Sequence, residues 1–182
     1  MFRFQQLAAV AVVVAVATVT MSAQKMTQTA VGSGGSQHVK TEWTIDGAHI
    51  TVEYGRPSLK GRADDMLMPV GKAWRTGADA ATIITSDKAL KFGAFTLSAG
   101  THTINTIPGA SDWQLMFGKL SKPGQWGIPY VADLEIGKVP MTLGKTPAAV
   151  EQVTISIDDT PAGATLRIEW GTKSATAPFT IG

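Results

Sequence analysis

Apolar residues at every second position are the feature that most constrains this chain, and they recur in one short run after another from Thr41 onward. A period of two places alternate side chains on one face of a β-strand. The runs include Ile50, Val52 and Tyr54; Phe95 and Leu97; Trp113, Leu115 and Phe117; Val153, Ile155 and Ile157; and Leu166, Ile168 and Trp170. The pattern predicts an all-β, single-domain antiparallel β-sandwich of jelly-roll-like architecture, with turns between short strands.

Helical periodicity is weak beside this alternation. One segment, "ADDMLMPVGKAW" at 63–74, fits a turn or two of helix, with Met66, Leu67, Val70 and Trp74 on one side. Trp43, Trp113 and Trp170 fall in phase with apolar strand residues, which predicts that they lie in the core. The chain is long enough for one domain with a sizeable core.

The N-terminal residues 1–23 are typical of a secretory signal peptide, with Arg3, an apolar run from Leu7 to Val19, and small residues before Gln24. That run is shorter than the ~20 residues that cross a bilayer. We therefore expect an exported protein, periplasmic or secreted, with no membrane span in the mature form. Residues 24–40 are Gly/Ser-rich and predict a flexible polar spacer, so that the domain comprises residues 41–182.

The charge balance and the residue types restrict the classes of function that the chain can have. The chain has 16 Lys plus Arg against 14 Asp plus Glu, which gives no reason to expect nucleic-acid binding. It has no cysteine, so neither disulfides nor thiolate chemistry are available. His38, His49 and His102 do not have metal-ligand spacing, and no phosphate-binding glycine motif is present. We expect no metal and no cofactor.

Two loop segments carry the candidate ligand-binding residues: "YGRPSLKGR" at 54–62 and "GKAWRTGADAAT" at 71–82. Glycine and proline shape both loops, and guanidinium groups bind carboxylate or phosphate in a bidentate manner. If the segments adjoin in space, they form one polar site for a small anionic or polar ligand. The candidates are Arg56, Ser58, Lys60, Arg62, Arg75, Thr76 and Asp79.

Two other interpretations of these residues stay open. A hydrolase would use Ser58 or Asp79 beside Arg or Lys, with His49 or His102 as the base. A purely structural envelope protein would use the arginines to satisfy loop carbonyls, and the charged side chains would otherwise be solvated.

Secondary candidates lie elsewhere in the chain. His102 is in phase with Ile104, which predicts a hydrogen-bonded residue of the apolar face more readily than a base. Trp126 and Tyr130, in "KPGQWGIPY", lie in a loop where an aromatic ring either stacks on a sugar or peptide or plugs one end of the sandwich.

Four motifs occur in order: "YGRPSLKGR", "MPVGKAWRTGADAATII", "LSAGTHTINTIPG" and "DWQLMFGK". In sequence and spacing they resemble the DUF2911 family of exported bacterial proteins, a domain of unknown function, over residues 41–170. The resemblance implies an exported β-rich domain and supplies no activity. The family's usual wording has Asn and Glu where this chain has Asp79 and Ala80, and Tyr where His102 stands, so a role carried by that Glu would be missing here.

Overall fold

The computed structural model describes residues 24–182, so the predicted signal peptide lies outside the described residues. Ten strands form nearly all of the regular structure there. They are β1 Lys25–Val31, β2 Gln37–Ile45, β3 Ala48–Arg56, β4 Thr82–Ser86, β5 Leu90–Phe92, β6 Phe95–Leu97, β7 Gly100–Pro108, β8 Asp112–Lys119, β9 Glu135–Thr160 and β10 Gly163–Ile181. Two short 3₁₀ turns, Asp64–Met66 and Ala132–Leu134, are the remaining elements. No helix among residues 24–182 has the length and hydrophobicity needed to cross a membrane.

The strands form one antiparallel sheet in the order β1-β2-β3-β4-β7-β8-β9-β10-β5-β6. Most neighbours in the sheet are joined by short turns, and strands such as β2, β3 and β4 bury every second residue. The sheet is open, and its two halves fold over a common core. The all-β sandwich predicted from the alternation is confirmed.

The long hairpin of β9 and β10 closes the sandwich. Near its start β9 pairs with β8, and along most of its length it pairs with β10. The register between β9 and β10 shifts on both sides of Gly171, which has a φ of 60°. Such irregularities bend a strand pair. The part of the hairpin beyond these shifts contacts β2 and β3.

The core lies between the two halves. Trp43, Trp113 and Trp170 are all buried, as their phase in the strands predicts. The phenyl rings of Phe92, Phe117 and Phe179 cluster at one end, with ring centroids 5.0 Å apart for Phe92 and Phe117. Of the helical turns predicted at 63–74, one 3₁₀ turn forms at Asp64–Met66. The shared apolar side does not form: Met66 and Val70 are exposed, while Met68 and Trp74 are buried.

The structure differs from the flexible spacer predicted at 24–40. Lys25–Val31 forms β1, which pairs antiparallel with β2, and the Gly/Ser-rich residues between them form the hairpin turn. Every residue of β1 is exposed. The strand therefore has no apolar alternation to detect, since backbone hydrogen bonds to β2 hold it and no side chain is buried.

A polar strut joins the end of β3 to β9. The Tyr54 hydroxyl accepts a hydrogen bond from the buried Ile155 N–H at 2.9 Å, and Arg56 Nε donates to the Val153 carbonyl at 2.9 Å. Next along the chain, the Pro57 carbonyl accepts from the Val153 N–H, and the Leu59 N–H donates to the Glu151 carbonyl. These bonds fix the free edge of β9 against β3. Burial raises the pKa of the Tyr54 hydroxyl.

We expect Tyr54→Phe to lower the free energy of unfolding by about 1–3 kcal/mol, because it leaves a buried N–H without an acceptor. Urea unfolding measures the change. The matched control is Tyr130→Phe, in which the half-buried Glu135 carboxylate loses a hydrogen bond from the Tyr130 hydroxyl and gains access to water. Equal losses in the two variants would contradict the strut.

The raised pKa of Tyr54 gives the same variant a pH signature. The unfolded chain ionises this tyrosine near its ordinary pKa of 10.0, before the folded chain does. Stability from the neutral hydroxyl is therefore complete below about pH 10 and is lost as the pH rises through the folded-state pKa. Urea unfolding measured below and above pH 10 should show that the free energy of unfolding falls more steeply with pH in the parent protein than in Tyr54→Phe. Tyr130 is present in both proteins and contributes equally.

Candidate functional site

The two loop segments singled out in the sequence adjoin in space. A Cβ placed on Gly55 would lie 2.4 Å from the carbonyl oxygen of Ala78, and one placed on Gly77 would lie 3.0 Å from the carbonyl oxygen of Gly55. No side chain fits between backbones this close. The end of β3 therefore packs directly on the loop that follows Arg75.

That loop, residues 75–80, is strained and held from several sides. Thr76 and Asp79 have φ values of 55° and 61°, a left-handed region that a β-branched residue such as threonine rarely adopts. Thr76 is fully buried, and its Oγ1 lies 3.1 Å from Thr106 Oγ1, while Thr82 Oγ1 donates to the Thr76 carbonyl at 3.2 Å. Thr76, predicted as a ligand-binding residue, is instead part of the framework that sets the loop.

An open cavity of about 350 Å³ lies on one side of this loop. The rings of Trp74 and Trp170 stack beside it with centroids 5.6 Å apart and planes 7° from parallel. We call it the tryptophan cavity. Its lining comprises Pro57, Arg62, Leu67, Pro69, Ala73, Trp74, Arg75, Gly77, Ala78, Ile128 and Trp170.

Arg62 and Arg75 both line the tryptophan cavity, and the backbone anchors each of them. Arg75 Nε donates to the Gly77 carbonyl at 3.2 Å; Arg62 donates from Nε to the Leu59 carbonyl and from Nη2 to the Ser58 carbonyl, both at 2.9 Å. Among the described residues neither guanidinium has a carboxylate partner. Each therefore retains N–H donors for a ligand.

Arg56 does not join them, since it is not among the residues that line the tryptophan cavity. Its Nε and Nη2 donate to the Val153 carbonyl and to Thr154 Oγ1, at 2.9 and 3.0 Å. Arg56 thus binds a backbone carbonyl and a hydroxyl of β9, as the interpretation of the arginines as structural residues expects. The reason is its position at the last residue of β3, where the side chain reaches the unpaired edge of β9.

Ser58 and Lys60 also belong to the loop framework. Ser58 bridges to Gln152 of β9, and Lys60, at a φ of 51°, donates its backbone N–H to Glu151 Oε1 at 2.8 Å. Neither residue lines the tryptophan cavity. Only two of the seven primary candidates, Arg62 and Arg75, thus meet in one cavity.

Asp79 faces the other side of the loop, where its Oδ2 lies 2.9 Å from His38 Nε2. A Cβ on Gly32, in the β1–β2 turn, would lie 1.8 Å from that Oδ2, so glycine is required there. His38 lines a second cavity of about 270 Å³, which we call the His38 cavity. Its lining comprises Thr29, His38, Val39, Glu53, Tyr54, Gly55, Ala80, Ala81, Ile83, Leu120, Pro123, Gly124 and Gln125.

The grouping expected for a Ser/Asp hydrolase does not form. Asp79 is paired with His38, and the two histidines considered as bases have other partners. The His49 ring lies with Nδ1 3.4 Å from Thr44 Oγ1, and His102, which pairs across from the core residue Ile84, lies with Nε2 2.9 Å from the Ser98 carbonyl. Within residues 24–182 no group of three or more acidic, histidine or cysteine side chains is placed to hold a metal ion.

The loop that follows β8 carries Trp126 and Tyr130. The Trp126 side chain is 52% exposed, so it does not plug the core, whereas the Tyr130 hydroxyl donates to Glu135 Oε2. Burial, together with that carboxylate, raises the pKa of Tyr130. Neither residue lines the two large cavities, although Ile128 between them lines the tryptophan cavity.

Sequence reasoning missed His38 and the Trp74–Trp170 pair. His38 fell in the segment interpreted as a spacer, and its partner Asp79 is distant in sequence. The available signal was the alternation of the buried residues Val39 and Thr41. It extends β2 two residues beyond Thr41 towards the N-terminus, into the segment that contains His38. Trp170 was correctly predicted as core, but no local pattern indicates that its ring meets Trp74.

The sequence profile of the DUF2911 family, described as a protein of unknown function, matches residues 36–179. The chain belongs to this family. The match begins inside the segment predicted as a spacer, in agreement with the position of β2. No curated protein and no solved structure matches the chain significantly.

We expect Gly55→Ala to destabilise the fold by about 1–3 kcal/mol, because the new methyl group collides with the backbone of Ala78. Thermal unfolding measures the loss. Gly34→Ala is the control, since nothing lies within 4 Å of a Cβ there. A Gly55→Ala variant as stable as the control would show that the two loop segments do not pack as described.

Proposed function

We propose that the protein is a binding module whose tryptophan cavity takes a small anionic ligand with an apolar body. One observation carries the proposal: Arg62 and Arg75, from two different loops, line the same cavity without a carboxylate partner among the described residues. Arg75 is half-buried and Arg62 is exposed, and guanidinium groups without a carboxylate partner favour a carboxylate or phosphate.

The size and lining of the cavity support this ligand class. A volume near 350 Å³ lies at the lower end of the range for small-molecule sites, ~300–1,000 Å³. Leu67, Pro69, Ile128 and the two tryptophans give it an apolar wall, and the arginines supply its few polar groups. Such a site selects a ligand with one charged end and one apolar end.

Preorganisation of the arginines also supports binding. Each guanidinium already donates to a backbone carbonyl of its own loop, so little side-chain freedom is lost when a ligand arrives. Gly127 packs on the other side of Arg75, where a Cβ would lie 2.5 Å from Arg75 Cδ. The position of Arg75 is therefore set before binding.

We propose further that the module acts outside the cytoplasm. The composition of residues 1–23 supports export. Intact-mass measurement of the protein recovered from its host would show loss of these residues, and recovery of the complete chain from the cytoplasm would contradict export.

Benzoate tests the cavity, with benzyl alcohol as an uncharged probe of the same shape. We expect calorimetry to show benzoate binding that is weakened at least about tenfold when Arg62→Gln and Arg75→Gln are combined, because charge-assisted hydrogen bonds are lost. Lys60→Gln removes the same charge from the same loop as Arg62 and should change the affinity by less than about twofold.

Arg56→Gln separates recognition from architecture. It should lower the unfolding temperature and leave benzoate affinity unchanged, since Arg56 binds β9 and not the cavity. The proposal fails if the double variant retains its affinity for benzoate, or if benzyl alcohol binds as tightly as benzoate. It also fails if loss of Arg62 and Arg75 changes only the unfolding temperature.

A further inference from the structure

The His38 cavity contains a carboxylate that lacks an ionic partner among the described residues. Glu53 of β3 is half-buried and lines this cavity. Lys40 lies directly across from it in the strand register, but the Lys40 ammonium pairs with Glu42 at 3.2 Å. Glu53 therefore presents to this cavity a carboxylate that no cation of the described residues neutralises, and such a group attracts a positively charged ligand.

His38 adds a second acceptor beside the same cavity. Its Nε2 lies 2.9 Å from Asp79 Oδ2, and an ionised carboxylate only accepts, so Nε2 carries the proton. In the neutral imidazole Nδ1 is then an acceptor, and no described residue donates a hydrogen bond to it. Because Asp79 fixes the ring and Gly32 leaves room for that carboxylate, the tautomer is built into the fold.

Apart from Thr29, Tyr54 and Gln125, the remaining wall of the His38 cavity is apolar, and it is held in place. Ala81, Ile83, Leu120 and Pro123 contribute to it. The loop that bears Pro123 is fastened by Gln125, whose Oε1 accepts from both the backbone N–H and the hydroxyl of Ser121, each at 2.8 Å. The cavity therefore combines two acceptors with an apolar surface.

We propose that the His38 cavity binds a small organic cation, a protonated amine on an apolar body, with its ammonium group at Glu53 and His38. An ammonium group has N–H donors and no acceptor, which matches the Glu53 carboxylate and the acceptor nitrogen of His38. This site is separate from the tryptophan cavity and does not depend on the function proposed for it. The strained loop at 75–80 lies between the two cavities.

Benzylammonium is the probe for this site, and benzyl alcohol is again the neutral control. Titration calorimetry of the parent protein should show benzylammonium binding, and Glu53→Gln should weaken it at least about tenfold while preserving the shape of the side chain. Glu169→Gln is the matched control, because Glu169 is a half-buried carboxylate of β10 that lines neither cavity. The Glu169→Gln variant should bind benzylammonium with an affinity within about twofold of that of the parent protein.

A measurement on the unaltered protein covers the case in which Glu53→Gln fails to fold. Nuclear magnetic resonance should show benzylammonium shifting the ring signals of His38 and leaving those of His49 and His102 in place. The proposal is overturned if benzyl alcohol binds as tightly as the amine, if folded Glu53→Gln keeps its affinity, or if the His38 signals do not move. Benzoate binding in the same samples reports separately on the tryptophan cavity.

Discussion

The contact between Gly55 and the backbone of Ala78 is the constraint on which both cavities depend. It brings the loop at 75–80 against the end of β3, where a side chain at Gly55 or at Gly77 would force the loop and the strand apart. The loop accepts left-handed backbone angles at Thr76 and Asp79 in order to fit. That strain, ~1–3 kcal/mol per residue, persists because the buried hydroxyls of Thr82 and Thr106 hold Thr76 in place.

One short loop thereby separates two environments of opposite charge. Arg75 leaves it towards the stacked rings of Trp74 and Trp170, and Asp79 leaves it towards His38. Placed side by side, Arg75 and Asp79 would neutralise each other and leave little charge for a ligand. Because the loop turns between them, the Arg75 guanidinium stays free of a carboxylate, while Asp79 pairs with His38 on the other side.

The sequence predicted the sheet better than the site. Alternation at Ile50, Val52 and Tyr54 identified β3, since those side chains enter the core, whereas β1 buries none of its side chains and gave no such signal. At the site, Arg62 and Arg75 line one cavity, whereas Arg56 reaches the Val153 carbonyl of β9. The sequence shows that residue 56 carries a guanidinium group, but it does not show which carbonyl that group reaches. The partner lies on the edge of β9, which is remote in sequence from Arg56.

The sequence by itself determined the all-β class, the buried tryptophans of the strands and the family, because local periodicity and contiguous motifs contain that information. The tertiary structure alone decided which side chains of the two cavities meet: Arg62 with Arg75, His38 with Asp79, and Trp74 with Trp170. Each of these groupings joins different strands or loops. The bend of the β9–β10 hairpin and the close packing of Gly55 on Ala78 bring the segments together, and both follow from the packed sandwich as a whole.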